Sequence, residues 1–255
     1  MRTFIVLALV FAVNSSFLRE LADKQISTIT ITESCVEVAA SATADVTIAL
    51  ATGVTVSGTF KTTLSSGVDA NKIELPGTQL ADATSIAYED IDVSAKHTGV
   101  YKVTKVEDTA TSNAITFALP EQNTATLTLT VAGTLGTQVA DQEVIEGDST
   151  KNSFKIVFTD NTLTAAVGGP VIYTDSAGKK PIADCSILAA NLKEVVCKPT
   201  AEEMGEGGDV EIYYQNGCGT GKVVTTGATV KFTIEDSSAF MSLGKVALFA
   251  FALLF

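Results

Sequence analysis

Four cysteines, one histidine, adjacent acid pairs such as Glu89-Asp90 and Glu202-Glu203, and one glycine-rich loop are the residues here whose types and spacing can do chemistry. Cys35, Cys185, Cys197 and Cys218 are an even number, which in a secreted chain means disulfides, with three pairings open. Cys185 and Cys197 flank Ser186–Val196, a stretch that reads as a hairpin, so that bridge is favoured. Closing a loop of that size stabilises a domain by about 3 kcal/mol in the chain-entropy model. Cys218 lies in a turn, Asn216-Gly-Cys-Gly; pairing it with Cys35 would staple the N-terminal strand to the C-terminal half. A zinc site would want a Cys-x-x-Cys pair, which the sequence lacks, so neither a metal nor a cofactor is expected.

His97 sits in Ser94-Ala-Lys-His-Thr-Gly, read as an exposed turn before a strand at Val100–Val103. A hydrolase triad built on it would be supported by a Gly-x-Ser-x-Gly elbow, and there is none. Glu89-Asp90 and Glu202-Glu203 are carboxylate pairs of the kind a glycosidase sets across a cleft. With 7% aromatics and no tryptophan to stack on sugar, solvated loop charge is the better reading. Gly217-Cys-Gly-Thr-Gly-Lys222 lacks the Gly-x4-Gly-Lys-Ser/Thr spacing and a following helix, so it reads as a hairpin turn rather than a phosphate loop. No catalytic residue is expected.

The two ends are more informative. Arg2, the ten apolar residues Phe4–Val13 and then Asn14-Ser15-Ser16 have the order of a secretory signal peptide over residues 1–15. At the other end, Asp236-Ser237-Ser238-Ala239 supplies small residues, Ser238–Lys245 is an eight-residue spacer, and Val246–Phe255 is wholly apolar. That order is the one a GPI attachment signal requires, with Ser237 as the attachment residue and Asp236 and Ser238 as the alternatives. A membrane helix would have to use Ala239–Phe255, which is short and carries Lys245. The membrane is thus expected as a partner through a lipid anchor, on the extracellular face of the plasma membrane.

With 29 acidic against 17 basic residues the chain carries a net charge of -12, which argues against nucleic acid as a partner. Removing both ends takes away Arg2 and Lys245, and Ser16–Ser237 then carries 15 - 29 = -14. Such a surface stays soluble at high local density. It could also draw calcium, although plain solubility is the simpler reading. The Asn-x-Ser site at Asn14 falls at the cleavage point, and Asn216-Gly-Cys is a rare variant, so asparagine-linked sugar is largely closed off, with serine and threonine left for O-linked sugar.

Whatever the chain does must be positioned by strands. Ile29–Ile31, Val46–Leu50, Val54–Val56, Ile115–Leu119, Leu127–Val131, Phe154–Phe158, Val210–Tyr214 and Val230–Ile234 alternate apolar residues with mainly threonine or charged ones. Period-two alternation predicts half-buried strands with threonine on the wet face. Turn clusters such as Pro76-Gly77, Asp160-Asn161 and Gly168-Gly169-Pro170 separate them. Leu18–Lys24 and Ile187–Leu192 are the helix candidates, and both are short. The expectation is an all-β chain of two tandem antiparallel sandwiches, residues 16–120 and 121–236, with 237–255 as the attachment signal. An echo between Ala44–Ile48 and Ala125–Leu129 supports the division.

Ala183-Asp-Cys-Ser-Ile-Leu, Glu194-Val-Val-Cys-Lys-Pro-Thr and Gly207-Gly-Asp-Val-Glu-Ile-Tyr-Tyr together resemble the TIG/IPT type of immunoglobulin-like domain, over Lys151–Glu235. The proline- and glycine-rich opening usual in that family is not evident. The resemblance implies an extracellular spacer or interaction module and no catalytic residue. The layout of signal, sandwiches and anchor is similar in plan to GPI-linked surface antigens of single-celled eukaryotes. The expected role is non-catalytic: a structural coat, or an adhesin with a protein or glycan ligand on another cell. A surface hydrolase and a subunit of an extracellular filament are the alternatives.

Overall fold

Threonine and the β-branched aliphatics favour an extended backbone, and alternating them puts one greasy face on each strand. A half-greasy sheet must cover that face, and a second sheet is the cheapest cover. The computed structural model describes residues 26–39, 42–50, 59–68, 71–77, 80–82, 85–109, 115–159, 167–188, 191–205, 207–219 and 221–234. The expected signal peptide over residues 1–15, Leu18–Lys24, Val54–Val56 and Ser237 with the apolar tail lie outside the described residues.

The first unit contains β1 (Ile26–Ile31), β2 (Cys35–Glu37), β3 (Thr43–Leu50), β4 (Phe60–Ser65), β5 (Lys72–Gly77), β6 (Leu80–Asp82), β7 (Ser85–Asp92), β8 (Gly99–Asp108), β9 (Ile115–Thr116) and β10 (Leu127–Thr130). One sheet runs β1-β3-β7-β6 and the other β2-β10-β8-β4-β5, with β9 paired to β8. Val46, Ile48 and Ile86 from the first sheet and Phe60, Leu64, Tyr101 and Leu127 from the second bury into one core.

The second unit contains β11 (Gln142–Glu146), β12 (Phe154–Val157), β13 (Ile172–Tyr173), β14 (Cys185–Leu188), β15 (Asn191–Cys197), the single-turn helix α1 (Ala201–Met204), β16 (Gly208–Gln215) and β17 (Val223–Ile234). Its sheets run β11-β17-β16-β13 and β12-β15-β14, around a separate core that includes Phe154, Phe158, Ile212 and Phe232. The chain is all-β and folds as two immunoglobulin-like sandwiches in tandem.

Several expectations change in detail. β10 is hydrogen-bonded to β8 and β2, so the strand expected to open the second sandwich closes the first. The boundary moves from Pro120 to beyond Thr130, because Leu127 and Leu129 bury in the first core and Pro120 lies in a connection between strands of one domain. The echoing segments are β3 and β10 of that same domain, so the echo marks two core strands rather than two repeats.

The sandwiches are not purely antiparallel: β2 runs parallel to β10, and β11 parallel to β17. In each case a strand early in the unit pairs with its last strand. Of the helix candidate Ile187–Leu192, Ile187 and Leu188 lie on β14 and Asn191 and Leu192 on β15, which pairs on both sides and overrides any helical preference. Of Ile115–Leu119 only Ile115–Thr116 is a strand, paired to the end of β8.

Threonine is not confined to the wet face. Thr62, Thr130 and Thr226 are buried, and each is held by hydrogen bonds that offset the loss of water. The Thr62 hydroxyl donates to the Tyr88 hydroxyl at 3.0 Å, and that of Thr226 to the Ile212 carbonyl at 2.8 Å.

Candidate functional site

Of the chemistry-bearing residues, Cys35, Cys218 with its glycine-rich loop, and His97 meet at the seam between the two sandwiches. Cys35 on β2 is bonded to Cys218 in the loop between β16 and β17, across a sequence separation of 183. Residue 218 is brought there by the β16–β17 hairpin, whose loop closes with the Asn216 amide donating to the Lys222 carbonyl at 2.8 Å. Cys218, in the glycine-rich stretch, is therefore carried by the loop of that hairpin. Beside the disulfide, the Cys218 amide donates to a Glu37 carboxylate oxygen at 2.9 Å. Gly217 has φ 74°, and any side chain there would run into that carboxylate.

Further hydrogen bonds stitch the seam. The Thr98 amide donates to the Val167 carbonyl at 2.7 Å. Buried Thr130 receives a hydrogen bond from the Val171 amide at 3.3 Å, and its hydroxyl lies 3.3 Å from the Gln215 carbonyl. The Gly133 amide donates to the Asn216 side-chain oxygen at 3.3 Å, which engages the one internal candidate for asparagine-linked sugar. Burial pushes the phenol of Tyr173 on β13 up to about 12. A covalent tie ringed by hydrogen bonds holds the two sandwiches in one relative placement.

His97 belongs to this seam. It is half-buried rather than an open turn residue, because the second sandwich lies against it. Its Nδ1 is 2.9 Å from the Thr98 carbonyl, so that nitrogen carries the proton, and its Nε2 edge packs on Gly168. The Tyr101 hydroxyl donates to the His97 carbonyl at 2.6 Å, and burial raises that phenol to about 12. Gly168, at φ 93°, leaves no room for a Cβ beside His97 and Thr98. The imidazole fills a seat between domains, and no seryl hydroxyl is set against it among the described contacts.

The acid pairs also separate in role. Glu203 is structural: its carboxylate accepts from the Thr200 amide at 2.7 Å and from the Ala183 amide at 2.7 Å, which makes it half of a capping box on α1. Glu202 is exposed. Glu203→Ala is expected to lower the unfolding free energy by about 1–2 kcal/mol, because two amides lose their acceptor. Glu202→Ala should change it by less than about 0.5 kcal/mol. Equal denaturation midpoints for the two variants would contradict this assignment.

Glu89 lines a shallow groove between β5 and β7, of about 310 Å³, together with Glu74, Asp92 and Lys96. Asp90 holds φ 51° with its amide donating to Asp45 at 2.8 Å. Among the described residues the carboxylates whose acidity is clearly altered, Asp92, Asp148 and Glu211, are all shifted downward, each chiefly by a hydroxyl hydrogen bond from Ser94, Thr150 or Tyr213.

Cys185 and Cys197 face each other in register across β14 and β15 and are bonded, so all four cysteines are spent in disulfides. Among the described residues no three or more His, Cys, Asp or Glu side chains form a metal-holding group, and no helix is long and apolar enough to cross a membrane.

No family model matches the chain, and no curated protein matches it. The TIG/IPT resemblance therefore rests on residues Lys151–Glu235 themselves. Among solved structures, Yersinia pseudotuberculosis InvD is similar at 17% identity and a TM-score of 0.31, covering 81% of this chain and 57% of that one. A Bacteroides ovatus glucan-utilization protein, SGBP-B, solved with a mixed-linkage heptasaccharide, is similar at 14% identity and a TM-score of 0.24, covering 84% and 46%. The two tandem V-type regions of the chitin-binding protein VCBP3 are similar at 11% identity and a TM-score of 0.20, covering 82% and 100%. The chain spans about half the length of the first two. At these scores the class of the protein, a tandem immunoglobulin-like β-sandwich, stands on its own strand order and its two cores.

Proposed function

We propose that this chain is a non-catalytic protein of the outer cell surface, held by a GPI lipid at Ser237 and presenting two sandwiches as one stiff unit. The observation that carries the reading is the seam: a disulfide spanning 183 residues locks the first strands of the chain to its last hairpin. An enzyme would need a cleft, whereas a spacer or coat needs a fixed shape and resistance to unfolding, and the covalent tie supplies both. β17 ends at Ile234, three residues before Ser237, so a lipid there would hold the second sandwich close to the membrane and direct the first outward. The acidic surface would keep a dense layer of such molecules soluble. Adhesion to a protein or glycan on another cell is the active form of this role, and a protective coat the passive one.

Treating intact expressing cells with phosphatidylinositol-specific phospholipase C is expected to release the full-length protein into the medium, and a chain ended after Ser237 should be secreted directly. Retention after both the lipase and nitrous acid, with residues 238–255 still attached, would replace the lipid anchor by a membrane helix. Saturable binding of the secreted form to cells would select adhesion over coat.

A further inference from the structure

Every open sheet has two edges whose unpaired backbone groups invite another strand, and natural sandwiches blunt them. Most edges of this chain are blunted in visible ways. β2, β6, β13 and β14 are only two to four residues long. β5 contains Pro76, which has no amide to offer, and β11 carries Glu143 and Glu146.

β12 is sealed by side chains. The Gln142 carboxamide accepts from the Lys155 amide at 2.8 Å and donates to its carbonyl at 2.9 Å. Gln138 does the same to Val157, at 3.1 and 2.9 Å. Each glutamine mimics one rung of a missing strand.

β1 has none of these devices. Ile26-Ser-Thr-Ile-Thr-Ile31 is six residues long, uncharged and free of proline; among the described strands it pairs only with β3, and beyond that pairing the Ile26 amide alone donates outward, to the Ala118 carbonyl at 3.0 Å. The Thr32 amide donates to the Asp45 carbonyl, so by alternation the amides and carbonyls of Ile29 and Ile31 point away from β3. Along that edge, between Ser27–Ile31 and residues 120–125, runs a groove of about 420 Å³ whose lining among the described residues carries no charge, in a chain of net charge -12. In its wall the buried Asn123 side-chain oxygen has no hydrogen-bond partner, while its amide donates to the Val103 carbonyl at 3.1 Å.

We infer that this edge is an interface between two copies of the chain, β1 adding antiparallel to the second copy's β1. The occupant follows from charge and self-complementarity. Two strongly acidic molecules can approach closely only where both are neutral, and β1 with its groove is such a stripe. The strand is also its own match: pairing Ile29 with the second copy's Ile31, and the reverse, engages both outward-facing residues of each copy. Incoming threonine or serine hydroxyls would meet the unpartnered Asn123 oxygen. The contact is isologous and closes at two copies, and with the remaining edges blunted no open filament follows.

The register places Thr30 opposite the second copy's Thr30, with Cα atoms about 4.5 Å apart in a pair not joined by hydrogen bonds. A cysteine pair can bridge that distance. Thr28 would lie about 14 Å from its counterpart, four residues out of step.

The test uses the full-length chain, expressed on eukaryotic cells and extracted in mild detergent. Light scattering should give a dimer, Thr30→Cys should run as a covalent dimer on a non-reducing gel, and Thr28→Cys should not. Both threonines are exposed, so the paired Thr28→Glu and Thr30→Glu variant should keep the wild-type circular dichroism spectrum and become monomeric. Four results would overturn the inference. They are a wild-type monomer, a dimer that neither glutamate nor the choice of cysteine alters, an open polymer, or a Thr30→Cys thiol that captures a different surface protein. A wild-type monomer that dimerises only when residues 16–25 are deleted would assign the groove to the chain's own leading segment, and it too would overturn self-pairing. Lipase release is independent of all these outcomes.

Discussion

Replacing Cys35 and Cys218 together with serine is expected to lower the unfolding free energy by about 3–5 kcal/mol. The bridge closes a loop of 183 residues, and the entropy removed from the unfolded chain grows with the logarithm of loop length. The loss falls mostly on the unfolded ensemble, which becomes more expanded, so the denaturant slope should steepen as the midpoint falls. The seam should loosen in the native state too. The Thr98 and Val171 amides, bonded across it, are expected to exchange hydrogen faster, while the amides of β3 and β15 keep their protection. Removing Cys185 and Cys197, which close only a twelve-residue separation within one hairpin, should cost less, about 3 kcal/mol, and leave exchange at the seam unchanged. An unaltered midpoint in the Cys35/Cys218 variant would mean that the hydrogen bonds alone hold the domains.

Phe158→Ala is expected to cost about 3–5 kcal/mol and to separate the unfolding of the two sandwiches. Phe158 is fully buried, and its ring meets Tyr214 edge-on with centroids 5.4 Å apart. The Tyr214 hydroxyl in turn donates to the Gly133 carbonyl at 3.3 Å, and Gly133 lies so close to Phe158 that a Cβ there would stand 2.8 Å from the ring. Truncation therefore leaves a cavity that the backbone around it is too tightly packed to fill. The damage is confined to the second core, because the buried clusters of the two sandwiches are separate. Denaturation followed by near-ultraviolet circular dichroism should show an early transition for the second sandwich, with the first unfolding near its original midpoint. A single transition shifted as a whole would instead make the two sandwiches one cooperative unit, with the seam as strong as either core.

The fold was legible wherever local pattern decides structure. Val46-Thr-Ile48-Ala-Leu50 is a strand because alternation and β-branching agree, and the buried residues of β3 alternate along its whole length. The hairpin between Cys185 and Cys197 was readable because turn and strands are adjacent in sequence. Phe60–Ser65 shows the limit: Phe-Lys-Thr-Thr-Leu-Ser has no clean period, and it is a central strand because β5 and β8 both pair with it. Pro120 looked like a boundary because proline breaks strands, yet Leu127 and Leu129 fill a core whose other walls lie far back in the chain. The chemistry-bearing residues divide in the same way. Nothing around Glu203 announces that its carboxylate reaches Ala183, twenty residues upstream. Nothing around His97 announces that Gly168 will cover it.

The amino-acid sequence by itself determined the class of structure, and it carries at its two ends the residue orders on which the proposed secretion and lipid anchor rest. Both depend on composition, periodicity and short-range order, which survive without any knowledge of what lies nearby in space. The tertiary structure alone decided which sandwich each strand belongs to and which edges are sealed. It also decided that a histidine, a glycine loop and a distant cysteine meet at one seam. Those outcomes depend on contacts between residues dozens to nearly two hundred positions apart, where loop-closure entropy is offset only by the collective burial of a finished core.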